Sequence, residues 1–250
     1  MIDTHCHLSA IDYDNLEELI VDIKKNDIIC INNGVDKESN NEVLSLSSKY
    51  SNIYAAIGFH PSEVEKIESN YIEYIESNIS NVVAIGEIGL DYHYGKENIQ
   101  KQKELFENQL LLAEKYNKPV IIHSRDAIMD TYEILKKYKV KGVLHAFSGS
   151  LEMANKFIDL GFKLGIGGVI TFKNCNLKDI ISKIDISNIV LETDSPYLSP
   201  EPVRGKKNTP LNLKYIVQYI SNLKNISCDD VIKITNDNAN SIFDLDSKLC

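Results

Sequence analysis

The sequence predicts an α/β protein, a single-domain (β/α)8 barrel of the TIM type. Three observations lead there. Apolar runs near 2–5, 28–33, 53–58, 82–87, 119–123, 142–146, 162–167 and 189–193 have strand length and alternate with amphipathic stretches of helix length. Strands separated by helices pair in parallel through right-handed crossovers, and eight such units suffice to close a barrel. Five of the six histidines lie at or just after the ends of those runs, the end at which a barrel builds its site.

Taken in order, the first run closes on "MIDTHCH". "LEELIVDIKK" follows, with Leu16, Leu19, Ile20 and Ile23 on one helical face. The third run leads into "GFHP", a loop stiffened by Pro61, and the fourth is "VVAIGEIGLD". "QKQKELFENQLLLAEKYN" is the longest amphipathic stretch, with Leu105 and Leu112 in its buried stripe. "PVIIH" and "GVLH" form strands five and six. "DAIMDTYEILKKY" and "SLEMANKFIDLG" read as helices, the second stopped by Gly161. The eighth run is "IVLETDSP". "TPLNLKYIVQYISNL" and "SCDDVIKITNDNANSIF" read as closing helices. No Pro-rich, Gly-rich or low-complexity linker interrupts the chain, so residues 1–250 are read as one domain. An open doubly wound sheet is the alternative, but it announces itself with a Gly-rich turn after its first strand, where this chain has H-C-H.

The composition narrows the function. At 43% hydrophobic and 25% charged, the chain matches an ordinary soluble globular protein, and no apolar run approaches the ~20 residues of a membrane span. Strand one begins directly after Met1, so no signal peptide is expected. Cys6, Cys30, Cys175, Cys228 and Cys250 are scattered without a C-x-x-C pair, which argues against a disulfide framework or zinc ribbon and for a reducing, cytoplasmic setting. A net charge of −9 excludes broad, non-specific coating of nucleic acid. A phosphate substrate must therefore be held locally. Of 27 basic residues only Arg125 and Arg204 are arginines, and both sit beside strand ends, where a planar guanidinium can grip phosphate or carboxylate.

His5 and His7, at i and i+2 of a strand, face the same way into the barrel mouth while Cys6 faces the helices. Such a pair can bind one cation. Asp3 is expected to orient a histidine or a loop. Glu87 lies between Gly86 and Gly89, and its two oxygens suit a bridge between two cations. Asp91 is expected to orient the loop or Glu87. His123 and His145 close neighbouring strands. Glu192 and Asp194 share a face, with Asp194 nearer the mouth as a ligand and proton acceptor and Glu192 one layer down, hydrogen-bonded to a ligand. His60 is placed to touch substrate or a leaving group, and His93 has no assigned role. Ser124, Ser148 and Ser195 follow no nucleophile-elbow pattern, which disfavours Ser-His-Asp catalysis.

Together "MIDTHCHL", "GFHP", "AIGEIGLDY", "PVIIHSRDA", "LHAFSG", "LETDSPYL" and "RGKKNTP" resemble, in order and over nearly the whole chain, the TatD family of metal-dependent deoxyribonucleases within the amidohydrolase-like barrels. The resemblance implies two divalent cations (Mg, Mn or Zn) held by His5, His7, Glu87, His123, His145 and Asp194. It places His60, with Glu87 and Asp194, in the catalytic machinery. Arg125 and the segment from Arg204 to Pro210, which carries Lys206 and Asn208, would border a groove that takes DNA at the barrel mouth, and no obligate protein partner is implied. Ser62 stands where the family often has a second histidine, and Lys207 and Thr209 replace its usual Arg and Glu. The implied activity is 3′–5′ exonucleolytic cleavage of single-stranded or damaged DNA. The alternatives are a D-aminoacyl-tRNA ester deacylase or another amidohydrolase. Many amidohydrolases bridge their metals with a carbamylated lysine, and strand four offers none.

Overall fold

Eight parallel strands follow one another round a ring in chain order in the computed structural model, which describes residues 1–93, 95 and 97–245. They are β1 (Ile2–Cys6), β2 (Ile29–Asn33), β3 (Ile53–Ile57), β4 (Ala84–Asp91), β5 (Val120–Arg125), β6 (Gly142–Leu144), β7 (Phe162–Ile166) and β8 (Ile189–Leu191). The intervening helices are α1 (Leu16–Lys25), α2 (Lys37–Lys49), α3 (Tyr71–Ser77), α4 (Ile99–Lys115), α5 (Ile128–Leu135), α6 (Leu151–Asp159) and α7 (Leu177–Ile181). The closing pair is α8 (Leu213–Lys224) and α9 (Cys228–Phe243). This is the predicted (β/α)8 barrel.

Two apolar layers hold it. Ile31, Tyr54, Val83, Ile121, Val143 and Val190 fill the floor of the barrel, and the end of α9 plugs it from below with Ile242, Phe243 and Leu245. Outside the strands a larger shell buries Ile20 and Ile23 of α1, Leu105, Phe106 and Leu112 of α4 and Phe157 of α6. Cys6 joins this outer shell, so His5 and His7 are left to the inside. Gly161, at φ +87°, follows α6 as the helix stop. Cys6, Cys30, Cys175 and Cys228 are free thiols, and Cys250 lies outside the described residues. Among the described residues no helix is long and apolar enough to cross a membrane.

The ring closes between first and last strands through loop atoms. The Asp194 N–H donates to the His5 carbonyl at 2.9 Å, and the His7 N–H to the Ser195 carbonyl at 2.7 Å. The Thr4 hydroxyl donates to the Leu191 carbonyl at 3.0 Å.

Strand lengths depart from the expected runs in a way that matters. β4 continues past Glu87 to Asp91, so Glu87 lies inside a strand instead of at its end. The register shifts between Ile85 and Ile88, after which Ile88–Asp91 pair with Ile122–Arg125. Gly89 permits this: its φ is +147°, and a Cβ there would lie 2.0 Å from the His123 carbonyl oxygen. β6 and β8, in contrast, end early, and His145 and Asp194 lie on the turns that follow. Ala146 (φ +45°) and Asp194 (φ +54°) take left-handed conformations in those turns.

Gly89→Ala is expected to lower the unfolding free energy by about 2–5 kcal/mol, from strain at positive φ plus overpacking against β5. Urea denaturation measures it; a loss under about 0.5 kcal/mol, the range of neutral surface changes, would show that β4 does not need this close approach.

Candidate metal centre

Glu87 is the centre of the site. Its Oε2 lies 3.4 Å from His5 Nε2 and 3.6 Å from His7 Nε2. Its Oε1 lies 2.8 Å from His123 Nδ1 and 3.1 Å from His145 Nε2. One oxygen thus faces the β1 histidines and the other those of β5 and the β6 turn. Asp194 Oδ1 completes the first group at 3.6 Å from both His5 Nε2 and His7 Nε2. The two β1 imidazole nitrogens approach each other to 3.0 Å. All six predicted ligand residues therefore meet at one place.

The surroundings decide which ring nitrogen faces inward. His7 Nδ1 lies 2.9 Å from the Asn33 carbonyl, so it donates there and Nε2 keeps its lone pair for the site. His123 Nε2 lies 3.0 Å from Asp91 Oδ2, leaving Nδ1 to face Glu87. His145 Nδ1 faces Glu192 Oε1 at 3.6 Å. Glu192 also accepts from the Ala146 N–H at 2.6 Å, and Gly165 of β7 makes room for it: a Cβ there would lie 2.1 Å from Glu192 Oε2. Glu192 thus lies a layer behind a site histidine, but at 3.6 Å it does not make the hydrogen bond expected of it. Of the two roles expected of it, Asp91 orders the loop, taking the His93 N–H at 2.9 Å, and it also backs His123. Its position opposite Arg125 in the β4–β5 register turns it toward β5.

Asp3 is wholly buried and serves the loop after β8. It accepts from the Thr193 N–H at 2.9 Å, the Thr193 hydroxyl at 2.6 Å and the His5 N–H at 3.3 Å. His60 enters from the β3 loop with Nε2 3.7 Å from Glu87 Oε1. His93 Nδ1 pairs with Asp126 Oδ2 at 3.0 Å, tying together the loops after β4 and β5. Arg204 lies over the Phe172 ring at 4.1 Å and 3.9 Å from Glu201. Arg125 and Lys206 are exposed.

Several supports are absent from the sequence reading. Gln102 and Gln109, seven residues apart on the buried face of α4, clamp backbone beneath the site. Gln102 bonds the Asp91 N–H and carbonyl at 2.9 and 2.8 Å, and Gln109 those of Phe59 at 2.8 and 3.0 Å. Polar residues two turns apart in an apolar stripe are the signal that betrays them. Asn208, in "RGKKNTP", is buried and bonds the carbonyls of Thr193 and Tyr197 at 2.9 and 2.6 Å. Buried Asn208 therefore shapes the β8 loop from within instead of bordering a groove.

Burial opposes charge throughout, yet the imidazoles win for the carboxylates. Glu87 is held well below the usual carboxylate range because burial is outweighed by His145, His5, His60 and His123. Asp194 is likewise lowered, chiefly by His7 against the cost of burial. His145, His123 and His7 rise against burial because carboxylates face them. Burial and the neighbouring His145 instead lower His5. Positive charge is therefore demanded exactly where a cation fits. The donor set, four imidazoles with one carboxylate between them and a second at the rim, suits divalent metals.

A barrel whose mouth gathers these donors defines a metal-dependent hydrolase, and the comparisons agree. Residues 2–244 match the family described as "TatD related DNase". The chain belongs to the TatD family. It is 39% identical to the "Uncharacterized metal-dependent hydrolase YabD" of Bacillus subtilis, over 97% of this chain and 98% of the relative. It is 33% identical to YcfH of Escherichia coli, which carries the same description, over 99% and 97%. The crystal structure of YJJV, a TatD homologue from Escherichia coli, superposes with a TM-score of 0.89 at 31% identity, covering 98% of each chain.

Burial raises the Asp3 carboxyl from 3.8 to about 7, against the lowering effect of its Thr193 bonds. The folded state therefore holds this proton more tightly than the unfolded chain. Stability from Asp3 is full below about pH 4 and falls as pH rises toward 7, by up to about 1.4 kcal/mol per pH unit. Metal-free protein should show this slope relative to Asp3→Asn in denaturation between pH 4 and 7; parallel curves would contradict it.

Proposed function

We propose that the protein is a metal-dependent deoxyribonuclease that cleaves DNA phosphodiester bonds with an activated water, acting 3′–5′ on single-stranded or damaged DNA. The observation that carries it is the division of Glu87, one oxygen toward His5 and His7 and the other toward His123 and His145. This suits a carboxylate shared by two cations. His5, His7, Glu87 and Asp194 would hold one, and Glu87, His123 and His145 the other. When bound, the cations acidify a water toward hydroxide at neutral pH and neutralise charge on the phosphoryl oxygens. The family description supports a phosphodiester substrate.

The chain's own residues supply the rest. Asp194, 14% exposed at the side chain, reaches both the histidines and solvent and is the acceptor for the proton of the attacking water. Burial of His5 and Glu87 keeps the inner site dry, which strengthens each charge interaction. Arg125, Arg204 and Lys206 would bind the DNA backbone at the rim, a local grip in keeping with the acidic chain.

Metal-stripped protein given Mg2+, Mn2+ or Zn2+ is expected to regain cleavage of 3′-labelled single-stranded DNA and to leave a panel of aminoacyl esters intact. Ester turnover without DNA cleavage by any metal form would replace this reading with the deacylase one. Asp194→Asn should lower kcat by about 10²–10⁴-fold, and unchanged turnover would refute its role. Gly165→Ala should displace Glu192 from His145 and weaken metal affinity about 10–100-fold, read by competition with a chelating dye. Unaltered affinity would deny Glu192 that supporting part.

A further inference from the structure

The hydrogen-bond polarity behind His60 is opposite to that behind its neighbours. His7, His123 and His145 are backed by acceptors: the Asn33 carbonyl and the carboxylates of Asp91 and Glu192. The outer nitrogens of His7 and His123 donate, which leaves their inner nitrogens with lone pairs, while His145 Nδ1 faces its carboxylate at 3.6 Å without a hydrogen bond. His60 is backed by a donor. The backbone N–H of Ser62 lies 3.1 Å from His60 Nδ1. An N–H has no lone pair to offer, so Nδ1 must accept, and a neutral ring must then carry its hydrogen on Nε2. That is the nitrogen facing the site.

The local sequence builds this arrangement. His60 is extended (φ −67°, ψ 146°) before a short 3-10 turn at Pro61–Glu63. Pro61 has no N–H, so that of Ser62 is the first donor available. The His60 N–H is itself fixed to the Val35 carbonyl at 2.9 Å. The Ser62 hydroxyl lies 2.8 Å from the same Nδ1 and 3.1 Å from Glu63 Oε1, and its single hydrogen serves only one of them. The essential donor is nevertheless the backbone, which is present whatever side chain stands at 62. At 3.7 Å from Glu87 Oε1, Nε2 is too far for a hydrogen bond.

We propose that His60 is a neutral hydrogen-bond donor, fixed through Nε2–H by the Ser62 backbone, that binds a non-bridging oxygen of the substrate as negative charge grows on it. The identity of that oxygen rests on the phosphodiester reading. The same polarity excludes two other roles. Ligation through Nε2 requires the loss of the hydrogen that the Ser62 N–H confines there, although donor atoms of His60, Asp91 and His123 cluster within 4.8 Å. Proton shuttling requires Nδ1 to become N–H against another N–H.

Ring-nitrogen NMR of protein carrying 15N-histidine decides the tautomer without substrate. At pH 7.5, His60 should show a protonated Nε2 and a bare Nδ1, both in the wild type and in Ser62→Ala. Addition of Mn2+-free Zn2+ should shift the inner nitrogens of His7, His123 and His145 but leave His60 Nε2 protonated. His60→Ala should keep the full metal stoichiometry and lose about 10²–10³-fold in kcat on single-stranded DNA, as for a deleted oxyanion donor. His60→Gln, which retains an N–H, should recover part of that loss. A protonated Nδ1, loss of the Nε2 hydrogen on Zn2+ addition, or a missing metal equivalent in His60→Ala would overturn the assignment. Absence of DNA cleavage by the wild type would overturn the substrate reading, and the tautomer measurement would still decide the state of His60.

Discussion

A carboxylate sunk into the mouth of an apolar barrel is tolerable only if both of its oxygens find positive charge or hydrogen. Glu87 imposes that condition, and much of the architecture answers it. Four histidines from β1, β5 and the β6 turn converge on it, with His60 a step further out. The carboxylates raise His7, His123 and His145 against burial, so these imidazoles are drawn toward their charged form around Glu87. A metal ion bound among these donors would meet the same condition, and its uptake would release protons from the imidazoles.

That exchange needs imidazoles that can move little. The support is drawn from distant parts of the chain: Asn33 at the end of β2, Asp91 at the end of β4, and Glu192 just past β8. Beneath them α4 contributes two glutamines that grip backbone, one below Asp91 and one below the loop carrying His60. These contacts lie within the barrel wall, away from any substrate, and they fix direction more than they add affinity.

The eight strands and the six converging side chains were legible because both leave short-range marks. Apolar runs of strand length alternate with helical stripes, and H-x-H puts two imidazoles on one face. The less legible features depend on contacts between residues far apart in sequence. Whether His123 offers Nδ1 or Nε2 is decided by Asp91, thirty-two residues earlier, and nothing beside His123 records it. The extension of β4 past Glu87 was hidden because Gly86 and Gly89 look like strand breakers, whereas here their missing side chains let β5 draw close. Asn208 read as part of a substrate motif because a buried hydrogen-bond hub and a surface contact share the same polar residue type.

The closure of the ring has a consequence for synthesis. His5 and His7 leave the ribosome well before Asp194 and the Thr193 loop that Asp3 anchors, which arrive only after almost the whole barrel. α9, which plugs the floor, comes later still. Until then β1 has an open edge, and its two histidines lack the carboxylate that completes their group. A nascent chain can therefore offer metals only a partial, weakly selective pair of imidazoles. The finished site is assembled at the moment the first strand meets the last, so its choice of metal is made by the folded protein and not by the emerging chain.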